Sequence, residues 1–236
     1  MTVNGSNLVF PDFAIKTLPI VDSSERFPVR RIYCVGKNYL AHVREMDGDV
    51  NEPPFFFQKA SDAIVQHGSE VPFPPKTADF HYEAELVVAI GKPGRDIPVD
   101  QALEHVFGYA TGIDLTRRDL QNQCMDKGLP WEVGKSFDCS APVGAIYPVS
   151  KAGHPDGRIS LRVNGEVRQD SALADMIWDV PTIISNLSGY YQLEPGDIIL
   201  TGTPEGVGAA KVGDRIEMRV DGFDPLAITI AASREP

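Results

Sequence analysis

The run "LVVAI" at residues 86–90 constrains the fold most. It is continuously apolar, it is closed by Gly91, and Glu83 and Glu85 stand directly before it in "HYEAELVVAIGK". A short apolar run of this kind, ended by a turn residue, reads as a buried strand. Side chains at i and i+2 of a strand share a face, so the two glutamates lean together where the chain enters the core. Two negative charges there are unfavourable unless something positive holds them. The alternative is that both lie on the wet face of an edge strand.

The remaining pattern is strand-rich. Strands are expected at 30–36 ("RRIYCVG"), 54–61 ("PFFFQKAS"), 107–114 ("FGYATGID"), 197–202 and 214–220, with hairpins over 161–169 and 221–231. The Asn164-Gly165 pair suits a type I′ turn. Helices are expected at 38–46, at 99–106 with Asp100 as cap, from Thr116 to Gly128 with Thr116 and Asp119 as a capping box, and at 180–191 with Pro181 in the first turn. Strands clustered with a few helices, without regular βαβ alternation, predict an α+β fold around a curved, mixed sheet. Residues 1–26 read as an N-terminal arm or short hairpin, and 27–236 as a single domain with a real core.

The balance of 22 basic and 33 acidic residues, net −11, disfavours nucleic-acid partners. The three cysteines, Cys34, Cys124 and Cys139, match no zinc or CxxC spacing. They read as free thiols in a reducing cytoplasm. No signal peptide or membrane-spanning stretch is expected.

Several residues carry candidate chemistry. Asp114 ends a predicted strand and would join Glu83 and Glu85 in an oxygen-donor set suited to Mg²⁺ or Mn²⁺. His42 and Glu45 are three apart on a helix, which suits either a general base oriented by a carboxylate or a plain surface pair. Arg118 and Gln121 share a helix face near Asp114, either for an oxyanion or as a solvated face. "VGKSF" does not complete a P-loop, because Gly128 is one residue too far from Gly134. That leaves Lys135 as a cation for a small anion. "LTGTPEGVG" offers Gly202 and Thr203 as an anion nest, or is a glycine turn.

Taken together, "YCVGKNYLAHVREM", "PPFFFQKASDAI", "HYEAELVVAIGK", "GYATGIDLTRRDLQ", "GKSFDCSAPVG" and "LTGTPEGVG", in that order, resemble the fumarylacetoacetate hydrolase family from about Arg30 onward. The short form looks most like its acylpyruvate hydrolase branch. The resemblance implies a mixed sheet rolled into a barrel-like core, a homodimer, and one Mg²⁺ or Mn²⁺ per subunit on Glu83, Glu85 and Asp114. It also implies a His42–Glu45 dyad on a lid that orders over the substrate, with Gln121 and Lys135 catalytic, and Arg118, Thr203, Gly202 and Lys59 toward the substrate, Lys59 at the entrance. His81 would stand behind the metal set.

The activity so implied is metal-dependent hydrolysis of the carbon–carbon bond of a 2,4-dioxo acid, foremost fumarylpyruvate. The distal carboxylate of such a substrate needs a further cation, for which Arg44, Arg117 and Lys127 are the candidates. Oxaloacetate decarboxylation, muconate-type isomerisation or hydration, and a non-catalytic metal- or metabolite-binding role are the competing readings.

Overall fold

A computed structural model describes residues 14–41 and 53–233. Its larger, six-stranded sheet runs in the order Tyr147–Pro148, Val106–Ile113, Ala84–Ile90, Ile198–Leu200, Ile32–Gly36, Phe55–Lys59. The sheet is mixed, since Ile198–Leu200 lies antiparallel to Ala84–Ile90 and parallel to Ile32–Gly36. A five-stranded sheet follows the order Glu166–Ala172, Arg158–Val163, Arg215–Val220, Leu226–Ala231, Glu70–Pro72. With four α-helical segments at Arg118–Asp126, Glu132–Lys135, Val149–Ala152 and Val180–Tyr190 among the described residues, the expected strand-rich α+β organisation is found.

The apolar run owes its continuity to burial on both faces. Leu86, Val88 and Ile90 pack in one cluster with Leu161, Ile216 and Met218 of the five-stranded sheet. Val87 and Ala89 face the other way, into a cluster with Leu18, Cys34, Ala110 and Leu200. Each fully buried Leu, Ile or Val side chain contributes about 1.5–3 kcal/mol of transfer free energy.

The stretch around the glutamates is not one strand. Phe80–Tyr82 pairs with Thr116–Arg117 and Gly208–Ala209 in a small three-stranded sheet. The chain leaves that sheet at Glu83 and enters the six-stranded sheet at Ala84. Glu83 is therefore a joint between two sheets, and strand alternation does not describe it.

The helix expected from Thr116 begins two residues later. Thr116 pairs with His81 in a strand, and the helix Arg118–Asp126 has no side-chain cap. The Thr116–Asp119 capping box does not form, because the Asp119 carboxylate accepts instead from Thr77 Oγ1 (2.6 Å) and Ala78 N (3.0 Å). The segment expected as a helix at 99–106 is a 3₁₀ helix, Val99–His105, with Pro98 rather than Asp100 at its cap. The Asn164-Gly165 turn is as expected, with φ of 53° and 87° between its two strands. So is the helix Val180–Tyr190, whose cap Asp179 accepts from Thr182 N (2.9 Å).

In the N-terminal segment Thr17–Pro19 pairs with Arg26–Pro28, and Leu18 and Phe27 join the second core cluster. Among the described residues no helix is long and apolar enough to cross a membrane.

Candidate active site

The three acids come together through sheet register. Ala84 pairs with Ile113 and Glu85 with Gly112, and Asp114 N donates to Glu83 O (2.8 Å). Antiparallel pairing thus sets Asp114, one residue past its strand, beside the joint that carries Glu83. One carboxylate oxygen from each of Glu83, Glu85 and Asp114 lies within 4.8 Å of the other two, and all three residues are buried. Ala84, between the glutamates, points into the opposite cluster.

Three buried cations answer the three acids. Lys135 Nζ donates to Glu83 Oε2 (2.7 Å), Asp114 Oδ2 (2.8 Å) and Thr116 Oγ1 (2.7 Å). Arg118 donates through Nη2 to Glu83 Oε1 and through Nη1 to Gln121 Oε1. Lys59 Nζ donates to the carbonyls of Leu115 (3.1 Å) and Lys135 and lies 2.8 Å from Asp114 Oδ1. Removing any one of these cations would leave the three buried acids short of one positive charge.

Compensation is uneven. Asp114 Oδ1 has the Lys59 charge beside it but no aligned hydrogen bond. Burial pushes the Glu85 carboxyl well above its usual range, and the charges of Asp114 and Glu83 push the same way. Lys135 and the Gly202 N–H, 2.6 Å from Glu85 Oε2, offset only part of that. Burial also opposes the Lys135 ammonium, but Asp114 and Glu83 outweigh it and its pKa rises. An under-compensated carboxylate and a carboxylate oxygen without an aligned hydrogen bond, in a hard-oxygen donor set, fit a divalent cation.

Close backbone approaches shape the site. A Cβ on Gly134 would sit 2.8 Å from Gln121 N, so glycine there lets the Lys135 turn press against the helix bearing Arg118 and Gln121. Gly202 has φ +95°, and a Cβ on it would meet Asn38 Cβ at 2.6 Å. Asn38 holds that loop by donating to the carbonyls of Thr201 (2.7 Å) and Trp178 (2.9 Å).

Glu83, Glu85, Asp114, Arg118, Gln121, Lys135 and Thr203 line one cleft. Lys59 is not at the entrance but behind the acids, 3% exposed. Gly202 faces Glu85 through its amide. His81 stands behind the set, its Nδ1 accepting from Arg118 Nε (3.4 Å) while Nε2 meets Asp79 Oδ1 (2.8 Å). Arg117 turns away, stacking at 4.3 Å over Phe137 and donating to Val133 O (3.2 Å). Lys127 lies exposed at the end of its helix, away from the cleft lining. His42, Glu45 and Arg44 lie outside the described residues.

Sequence reasoning missed Lys37, Phe57 and Trp131 in the cleft wall, and Gln169 and Asn38 behind it. The positive φ of Lys37 (58°), after Gly36, has a trace in the "GKN" turn composition. Gln169 has no local signal, since it sits in a strand whose other side chains are mostly exposed.

Fold and site together define a strand-rich α+β protein built around a carboxylate centre for a divalent ion. The chain belongs to the fumarylacetoacetate hydrolase family. Residues 31–231 match the family described as "Fumarylacetoacetate (FAA) hydrolase C-terminal". It is 46% identical over 187 residues to a fumarylpyruvate hydrolase of Ralstonia sp, covering 79% of this chain and 97% of that protein. It is 46% identical over 202 residues to the human mitochondrial oxaloacetate tautomerase FAHD1, covering 85% and 91% respectively. A crystal structure of fumarylpyruvate hydrolase from Pseudomonas aeruginosa in complex with Mn2+ and pyruvate superposes with a TM-score of 0.95 at 50% identity. It covers 96% of this chain and all of that one.

Proposed function

We propose that the protein is a divalent-metal-dependent hydrolase that cleaves the C3–C4 bond of acylpyruvates, foremost fumarylpyruvate, giving fumarate and pyruvate. The observation that carries this reading is the convergence of Glu83, Glu85 and Asp114 in one cleft with Lys135, Gln121 and Thr203. The likeness to fumarylpyruvate hydrolases, one of them holding Mn2+ and pyruvate, supports the same substrate class.

Glu83, Glu85 and Asp114 would hold one Mg²⁺ or Mn²⁺, which when bound supplies Lewis-acid stabilisation of negative charge on the 2-oxo acid end. Three acids against Lys59, Arg118 and Lys135 leave the protein's own contribution neutral, so the loaded site favours an anionic substrate. His42, with Glu45 as the partner the family resemblance implies, would take a proton from water, and the hydroxide would add to C4. Because Arg118 occupies Gln121 Oε1, the NH₂ end of that amide is the one left for the C4 oxyanion. The C3–C4 electron pair then leaves as the enolate of pyruvate, which is reprotonated at C3. Lys37 lines the cleft wall, and the proposal gives it the distal carboxylate.

The barrel-like roll of the core belongs to the same proposal, supported by the one hydrophobic cluster shared by the six- and five-stranded sheets. A cytoplasmic setting is part of the same proposal, supported by Cys34 and Cys124, which are both buried and form no disulfide.

The test is pyruvate release from fumarylpyruvate, maleylpyruvate, acetylpyruvate and oxaloacetate with Mn²⁺ supplied. The panel should show fumarylpyruvate as the best substrate, and His42→Ala should abolish its hydrolysis. No turnover of any acylpyruvate would overturn the reading in favour of a binding protein. The similarity to an oxaloacetate tautomerase favours a second reading, keto–enol conversion of oxaloacetate. It is separated by following the enol absorbance with no release of pyruvate.

A further inference from the structure

Gln169 is 1% exposed and belongs to the Glu166–Ala172 strand of the five-stranded sheet, remote in sequence from every residue of the cleft. Its Oε1 accepts from Ala84 N (2.9 Å), the amide between Glu83 and Glu85. Its Nε2 donates to Thr203 Oγ1 (2.8 Å) and to Pro204 O (2.8 Å). This set admits only one orientation of the amide. Reversed, the NH₂ would face the Ala84 N–H and the oxygen would face the Pro204 carbonyl.

The polarity of Thr203 follows. Its oxygen accepts from Gln169, so its own proton must be given elsewhere. Thr203 lines the cleft with the three carboxylates, where a ligand's carboxylate is the acceptor such a proton would meet. We infer that Gln169 is a positioning residue. It turns the Thr203 hydroxyl into a hydrogen-bond donor toward the substrate carboxylate, and it pins the backbone joint that carries Glu83 and Glu85. The first half rests on reading the cleft as a 2-oxo acid site.

The test uses the full chain loaded with Mn²⁺ and titrated calorimetrically with oxalate, whose adjacent carboxylates stand in for the 2-oxo-carboxylate end. Gln169→Glu keeps an acceptor for Ala84 N but removes the donor to Thr203, so the hydroxyl turns back toward residue 169. Oxalate affinity should fall roughly tenfold, as for loss of one hydrogen bond to a charged group, while Mn²⁺ binds no more weakly than to wild type. Thr203→Val should cost a similar factor, and the double variant no more than either single one, because both remove the same bond. Losses that multiply, or wild-type oxalate binding in Gln169→Glu, would overturn the inference.

If Gln169→Glu does not fold, Gln169→Met removes the donor without adding charge, and the same non-additivity with Thr203→Val is expected. Oxalate binding with the expected non-additivity, but no acylpyruvate turnover, would overturn the hydrolase reading alone. Multiplying losses in an enzyme that turns over would overturn the Gln169 inference alone.

Discussion

Lys135 Nζ donates to Glu83 Oε2 across 2.7 Å, joining the turn after the Arg118–Asp126 helix to the point where the chain passes between two sheets. The same ammonium holds Asp114, so one side chain ties together two of the three acids that would bind the ion.

Lys135→Met should therefore separate metal binding from turnover. Removing a positive charge beside the acids leaves Mn²⁺ affinity equal or tighter. Turnover should fall by roughly 10²-fold, as when the groups that position a substrate are displaced, because Lys135 holds Glu83 and Asp114 in place. Without metal the variant should lose about 3–5 kcal/mol, because the three buried acids lose one of their three compensating charges. Added Mn²⁺ should restore much of that. Calorimetric titration, initial rates and denaturant melts read the three effects, and a lost Mn²⁺ site would contradict the assignment.

Metal removal should lower stability as well as activity. An ion bound only by the folded chain contributes about 2.7 kcal/mol at a hundred times its Kd. Wild type should melt higher with Mn²⁺ than with a chelator. Glu85→Ala should melt at the same temperature in both, and the assignment fails if calorimetry finds equal Mn²⁺ affinity in wild type and variant.

Two glycines should behave differently. Gly134→Ala forces a methyl to within 2.8 Å of Gln121 N and 2.9 Å of its Cα, both backbone atoms that cannot swing aside. About 1–3 kcal/mol of stability should be lost, with reduced turnover, since Lys135 moves with its neighbour. Gly128→Ala meets nothing within 4 Å but has φ +62°. It should cost about 1–2 kcal/mol and leave turnover unchanged. Urea melts and pyruvate release on both proteins check the contrast.

Asp119 carries a pH-dependent share of stability. Burial raises its pKa, but hydrogen bonds from Thr77, Ala78 N and Leu120 N outweigh that, and the net shift is downward. A depressed carboxylate stabilises fully above its unfolded value and loses that contribution as pH falls through its folded value. Asp119→Ala should therefore be less stable than wild type by about 1–2 kcal/mol at pH 7, and the gap should close below about pH 4. A gap that persists unchanged in acid would show the loss is one of packing.

Much of the local order was legible in the chain. The "LVVAI" run, the Asn164-Gly165 turn and the helix with Pro181 in its first turn each depend on neighbours in sequence, and each folds as its pattern indicates. The Thr116–Asp119 capping box failed because Thr77 and Ala78, some forty residues earlier, compete for the same carboxylate. Lys59 looked like an entrance residue and is instead enclosed, since strand pairing of Phe55–Lys59 with Ile32–Gly36 carries it under Asp114.

By itself, then, the sequence determined the strand-rich class, the acids suited to an ion, and the residues able to serve them, because side-chain chemistry and local periodicity are properties of neighbouring residues. Only the tertiary structure decided that Glu83 is a joint between sheets, that Lys135 and Lys59 lie on opposite oxygens of Asp114, and that Gln169 orients Thr203. Those relations depend on sheet register and on contacts across 21 to 85 residues of chain, where the burial of a charge is settled by whichever partners the fold brings within reach.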